Sequence, residues 1–197
     1  MTHIINDVEI EAKMRKAVEA VLSDPRYQKN IEYGQPRPGH PEGKVRVHIA
    51  DLEANLEALR QRGVSPAVYW KLRFLIHVHD TFKAEAQPDV PILHPRSHAS
   101  LAREYATQYI DDPDLLNIIQ YHDKNYSLWL NYQRTGSMDA VGFQLLLDTI
   151  HDWDLFLLFT IIDGRTKGKD ISKLAWFIEE VRKHKPTRVD LSWVDPL

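Results

Sequence analysis

The chain contains no cysteine. Disulfides and thiolate metal sites are therefore excluded, and any bound metal must be held by histidine, carboxylate or backbone oxygen. A long apolar run is also missing: nothing approaches the roughly 18 to 20 consecutive residues that a membrane-spanning helix requires. Alternation of apolar and polar residues does not extend beyond short runs, so strand signals are absent, as are internal repeats and low-complexity tracts. Charge is scarce in the net, at −3 with histidine neutral, which provides no general attraction for nucleic acid. The opening residues Met1-Thr2-His3-Ile4-Ile5-Asn6-Asp7 do not read as a signal peptide. The expectation is a cytoplasmic protein with no membrane association.

What the chain does have is helical periodicity. Its 197 residues, 43% hydrophobic and 27% charged, suit one domain of ordinary size. Residues 7–22 carry Ile10, Met14, Val18 and Val21 on one face. The segment from Tyr33 to Gly43 holds three prolines and three glycines and must be a loop. A second helix is expected over 44–61, with Val45, His48, Leu52, Leu56 and Leu59 as its apolar stripe and Gly63 ending it. Ser65-Pro66 starts a third, on which Val68, Leu72, Leu75, Ile76 and His79 form a stripe. After a loop with Pro88, Pro91 and Pro95, a helix places Leu101, Ala102, Tyr105 and Tyr109 inward. Asp112-Pro113 opens the next, and Leu115, Ile118, Ile119 and His122 follow at i, i+3, i+4 and i+7. Residues 124–138 read as an irregular or short helical connection. Residues 139–162 read as two helices hinged near His151-Asp152, with Phe156, Thr160 and Asp163 sharing a face. A last helix over 170–183 buries Ile171, Leu174, Ala175, Ile178 and Val181, and the tail after Pro186 is extended. The fold expected is all-α, a compact bundle of seven or eight helices.

One histidine on an apolar stripe is ordinarily a satisfied core residue. Here His48, His79 and His122 occupy the buried lines of three helices, and Asp163 does so on a fourth. An ionised Asp80 buried beside His79 would be costly without a partner, and a cation relieves that cost. A metal centre inside the bundle explains all of these positions at once. Imidazole and carboxylate donors suit manganese, iron, cobalt, nickel or zinc; magnesium prefers oxygen and keeps its waters, yet it is not excluded. Lys83 lies one turn beyond His79. His94 and His98 are four apart, so one turn can hold both on one side, although Pro95 sets His94 ahead of the helix proper.

The order His48, His79-Asp80, Asp163 resembles the HD-domain metal-dependent phosphohydrolases. Lys83 falls where that family often has a lysine. His40-Pro41-Glu42-Gly43 looks like the lead-in to its first histidine, and Ile161-Ile162-Asp163-Gly164 is similar to the segment carrying its last aspartate. The resemblance covers about His40 to Arg165, the core of one domain spanning 1–197 with flanking N- and C-terminal helices. It departs at Thr81-Phe82, where many members have Ile-Gly. It implies that His48, His79, Asp80 and Asp163 bind one ion. A second ion, with Asp80 bridging, would use His122 together with His94 or His98, which otherwise bind substrate phosphate. The implied reaction is hydrolysis of a phosphate mono- or diester of a nucleotide: a monoester, a cyclic diester or a guanosine polyphosphate. Asp80, or another carboxylate near the bound water, would take the proton. Lys83 would contact the phosphate, with Arg96, Arg103, Lys124, Arg165, Lys167 and Lys169 as further candidates that a solvated surface would equally explain. Tyr126, Trp129 and Tyr132 would bear on specificity. The alternatives are a catalytically silent module that binds nucleotide or metal as a sensor or partner domain, and a structural protein whose histidines fill the core.

Overall fold

Three Asp/Ser-Pro dipeptides set helix starts, because the side chain caps the first free N–H groups and proline has no N–H to lose. In the computed structural model, which describes residues 2–36, 43–166 and 169–194, Ser65-Pro66 and Asp112-Pro113 do so as expected, and Asp24-Pro25 does the same. Asp24 caps α2 (Pro25–Asn30), which follows α1 (Thr2–Ser23). Ser65 caps α4 (Pro66–Val78), which follows α3 (Val45–Arg60). Asp112 caps α6 (Pro113–Tyr121), which follows α5 (His98–Ala106). The chain continues through α7 (Lys124–Thr135), α8 (Ala140–Thr149), α9 (Trp153–Gly164) and α10 (Ser172–Arg182). Short 3-10 turns lie at Thr81–Ala84 and Leu191–Trp193. No strand occurs among the described residues, and none of the helices is long and apolar enough to cross a membrane.

The expected all-α bundle is thus observed, with its helix count raised by the brief α2 and by α7. Of the two readings of 124–138, the helical one holds: Lys124–Thr135 is a regular twelve-residue helix. Only Asn125 and Leu128 of α7 are buried. The aromatic side chains that disguised it pack across on α10, where Tyr132 stacks on Trp176 at 5.3 Å and Trp129 lies 5.3 Å from the same ring. Ile171 corrects the last helix: it sits at the N-cap and is 44% exposed.

Helix α4 lies at the middle of the packing, against α1, α3, α6 and α9. Leu72, Phe74, Leu75 and Val78 are fully enclosed, each contributing about 1.5–3 kcal/mol by burial. The expected stripe of α3 is likewise interior, from Val45 and His48 through Leu52, Leu56 and Leu59. Helix α9 is buried nearly all round. The polar side chains at the ends of these central helices therefore converge inside the bundle.

Candidate metal centre

Helix α4 does not run on through Asp80. It ends at Val78, His79 forms the C-cap, and Asp80 turns the chain with φ −109° and ψ −3° into the 3-10 turn. This turn carries Asp80 inward rather than onto a helix surface, and its carboxylate is 8% exposed. Thr81 fixes the turn by donating its hydroxyl to the carbonyl of His77. Phe82 is fully buried against Tyr105, ring centroids 4.7 Å apart. The residues at the Thr81-Phe82 departure thus serve packing.

Two groups of donor atoms meet here. His48, His79 and Asp163 form one; Asp80, His98 and His122 form the other; within each the donors lie within 4.8 Å of one another. Asp80 stands between them. Its Oδ2 is 3.5 Å from His79 Nε2 and 3.9 Å from His48 Nε2. Its Oδ1 is 3.6 Å from His122 Nε2 and 3.7 Å from His98 Nε2. These separations exceed a hydrogen bond. His48 Nε2 reaches Asp163 Oδ1 at 3.1 Å.

The backbone orients two of the rings. His79 Nδ1 lies 3.1 Å from the carbonyls of Leu75 and Ile76, and His122 Nδ1 lies 2.8 Å from that of Ile119. A carbonyl can only accept, so each Nδ1 carries the proton and each Nε2 presents its lone pair to the centre when neutral. Among the described residues, His79 Nε2 and Asp80 Oδ1 are buried without any hydrogen bond. Buried polar atoms left in that state call for an explanation. A cation between them provides one, and the nitrogen and oxygen donors fit a divalent ion.

Charge is arranged accordingly. Burial pushes His79 down to about 4, so its ring is neutral at ordinary pH. Burial also opposes charge on His122, but Asp123 and Asp80 outweigh it and raise it to about 9; a bound cation would take the place of that proton. Burial would raise Asp80 and Asp163, yet Lys83 holds the first, and Lys169 with His48 the second, well below the usual carboxylate range. Lys83 is paired directly with Asp80. Lys169 Nζ lies 2.9 Å from both Oδ1 and the backbone oxygen of Asp163.

The other candidates sort clearly. His98 joins the centre at the first helical position of α5, after the Ser97 cap. His94 does not: it lies in the preceding loop, and its Nδ1 accepts from the Arg96 N–H at 3.1 Å. A cavity of about 1210 Å³ opens over the cluster and is lined by His48, Asp80, Lys83, His98, His122 and Asp163, among others. Lys124, Lys169 and Tyr126 also line it, whereas Arg96, Arg103, Arg165, Trp129 and Tyr132 do not. Arg96 and Arg103 are exposed. Lys167 and the His40-Pro41-Glu42 lead-in lie outside the described residues. His77 is structural: its Nε2 donates to Glu53 at 2.8 Å and its Nδ1 accepts from the Tyr27 hydroxyl at 2.6 Å.

Asp123 escaped the sequence reading. Its Oδ2 is 3.3 Å from His98 Nε2 and 3.5 Å from His122 Nε2, and its side chain, 46% exposed, faces the cavity. The signal was present, since His122-Asp123 repeats the pair His79-Asp80. Comparisons of the chain with protein-family models, with curated proteins and with solved structures find no match.

Proposed function

We propose that the protein is a metal-dependent phosphohydrolase acting on a phosphate ester of nucleotide type. The observation that carries this reading is the division of Asp80, whose two oxygens face two separate histidine sets at the floor of an open cavity. His48, His79 and Asp163 would hold one divalent ion and His98, His122 and Asp123 a second, with Asp80 a donor available to both. Manganese, iron, cobalt, nickel and zinc fit the donors best, and magnesium is the weaker fit. When bound, such ions supply Lewis acidity toward water and toward a phosphoryl oxygen.

The chain's own groups would do the rest. Lys83 reaches the cavity beside Asp80 and offers N–H donors to a phosphoryl oxygen. Lys169 stands beside Asp163 in the same way. Asp80, expected to handle the proton, is held ionised and weakly basic by Lys83. Asp123 is likewise held ionised, by His122 and His98, and differs in being open to the cavity, where it would orient the attacking water. Water adds to phosphorus, the ester P–O bond breaks, and the proton the water loses ends on the leaving oxygen. The test is hydrolysis of p-nitrophenyl phosphate and bis(p-nitrophenyl) phosphate by protein loaded with manganese, iron or nickel. Turnover that disappears with chelator and with Asp80→Asn supports the reading, and no turnover with any metal sinks it.

A second reading is favoured by the lysine pairs. Lys83 and Lys169 already neutralise two of the would-be ligands, as they would in a module that binds a nucleotide or metal without turnover. Metal or nucleotide binding in the absence of any hydrolysis would select it.

A further inference from the structure

The cavity is well supplied with lysine and yet poor in available positive charge. Its described lining contains five carboxylates, Glu32, Asp80, Asp89, Asp123 and Asp163, against three lysines, Lys83, Lys124 and Lys169, and no arginine. Each lysine is already committed. Lys83 is paired with Asp80, Lys169 lies 2.9 Å from Asp163, and Lys124 lies 3.7 Å from Asp139. Lys173, outside the lining, sits over the Tyr126 ring at 5.0 Å. Glu32 is offset outside the lining by Lys44 and Arg46, and Lys124 by Asp139; two divalent ions with Lys83 and Lys169, set against Asp80, Asp89, Asp123 and Asp163, would leave a surplus matching about one phosphoryl dianion. Sites for polyphosphates instead spread arginine and lysine donors along the chain of phosphates.

Volume does not impose this limit. At about 1210 Å³ the cavity exceeds the roughly 300–1,000 Å³ common for small-molecule sites, so a triphosphate would fit by size. Away from the metal-binding floor the walls are largely uncharged: Tyr33, Val90, Pro91, Ile92 and Tyr126 line them. On the same wall Asp89 is exposed, makes no ion pair among the described residues, and adopts φ 58°, a left-handed conformation rare outside glycine, asparagine and aspartate.

We propose that the cavity selects an ester bearing a single phosphoryl group on an uncharged organic portion of about nucleoside size, and that Asp89 on its wall repels the further phosphates of di-, tri- and polyphosphates. This rests on the phosphohydrolase reading and narrows its substrate class. Discrimination arises from repulsion built against the wrong ligand as much as from attraction to the right one.

The test uses the manganese-loaded full chain and one nucleoside as its 5′-mono-, di- and triphosphate, with p-nitrophenyl phosphate alongside. Both kcat/KM and calorimetric affinity are measured. The monophosphate should exceed the triphosphate by about tenfold or more in each, the scale of one or two like-charge contacts. Asp89→Asn, which tolerates the same backbone, should shift the triphosphate-to-monophosphate ratio upward by roughly threefold at low salt, fading as salt rises. Equal or better handling of the triphosphate overturns the proposal, as does failure of every nucleotide to bind. An unchanged ratio in Asp89→Asn overturns the role given to that residue. If even p-nitrophenyl phosphate is not hydrolysed, the reaction itself is wrong, and the order of affinities alone then decides the selection.

Discussion

The dipeptide His-Asp occurs three times, and its three copies differ in where they fall on a helix. His79-Asp80 and His122-Asp123 each terminate a helix whose body is buried, with the histidine at the C-cap. His151-Asp152 begins one instead. Asp152 is the N-cap of α9 and accepts the Leu155 N–H at 3.0 Å, while the His151 side chain is 78% exposed. The same two letters thus give a converging donor pair at a helix C-terminus and an ordinary cap at an N-terminus. At a C-terminus the last-turn carbonyls orient the imidazole through Nδ1 and the local dipole favours a cation. At an N-terminus the carboxylate is consumed by backbone N–H groups.

The largest expected effect of breaking this contrast is at Asp80. Asp80→Asn should abolish metal retention and reduce phosphatase activity on the order of 10³-fold or more, measured by elemental analysis and steady-state kinetics. Because Lys83 would lose its partner in a buried setting, about 3 kcal/mol of stability should go as well, which a denaturant titration reads. Next comes the second pair. His122→Ala should lower the metal bound at saturation by about one ion per chain and leave the first ion in place. A wild type that never takes up more than one ion, even in excess manganese or iron, would make His122 a phosphate-binding residue instead. Lys83→Ala should keep its metal yet lose roughly 10- to 100-fold in activity, the scale of a charge-assisted hydrogen bond; loss of metal there would mark the lysine as structural. The smallest effects belong to the third pair. Asp152→Ala should cost about 1 kcal/mol as a lost cap, and neither it nor His151→Ala should alter metal content or turnover. A larger metal loss in these variants than in Asp80→Asn would put the centre on the wrong pair.

How much of this was legible in the sequence follows the same logic. The α3 stripe, the caps at Ser65 and Asp112 and the break at His151-Asp152 could all be read, because each depends on neighbours within a turn or two. The inward course of His48, His79, His122 and Asp163 could be read for the same reason. The choice of His98 over His94 needed the exact start of α5, which Ser97 sets by accepting the Ser100 N–H at 3.0 Å. Whether 124–138 is helical or irregular could not be decided, because the aromatic side chains of α7 are satisfied by Trp176, nearly fifty residues away in sequence and invisible to local periodicity. Asp123 was not legible because it follows the stripe ending at His122, and the residue after a stripe faces away if the helix continues. It does not continue, since His122 is the cap. Lys169 could not be told from the other basic residues until the turn after α9 brought it to Asp163.

The central claim is that the buried histidines and aspartates form a metal centre with Asp80 at its middle. Calorimetric titration of metal-stripped protein with manganese tests it most directly. The account predicts uptake of two ions per chain, a melting temperature that rises with metal concentration, and loss of both in Asp80→Asn. No binding by wild type, with an unchanged melting curve, would contradict it.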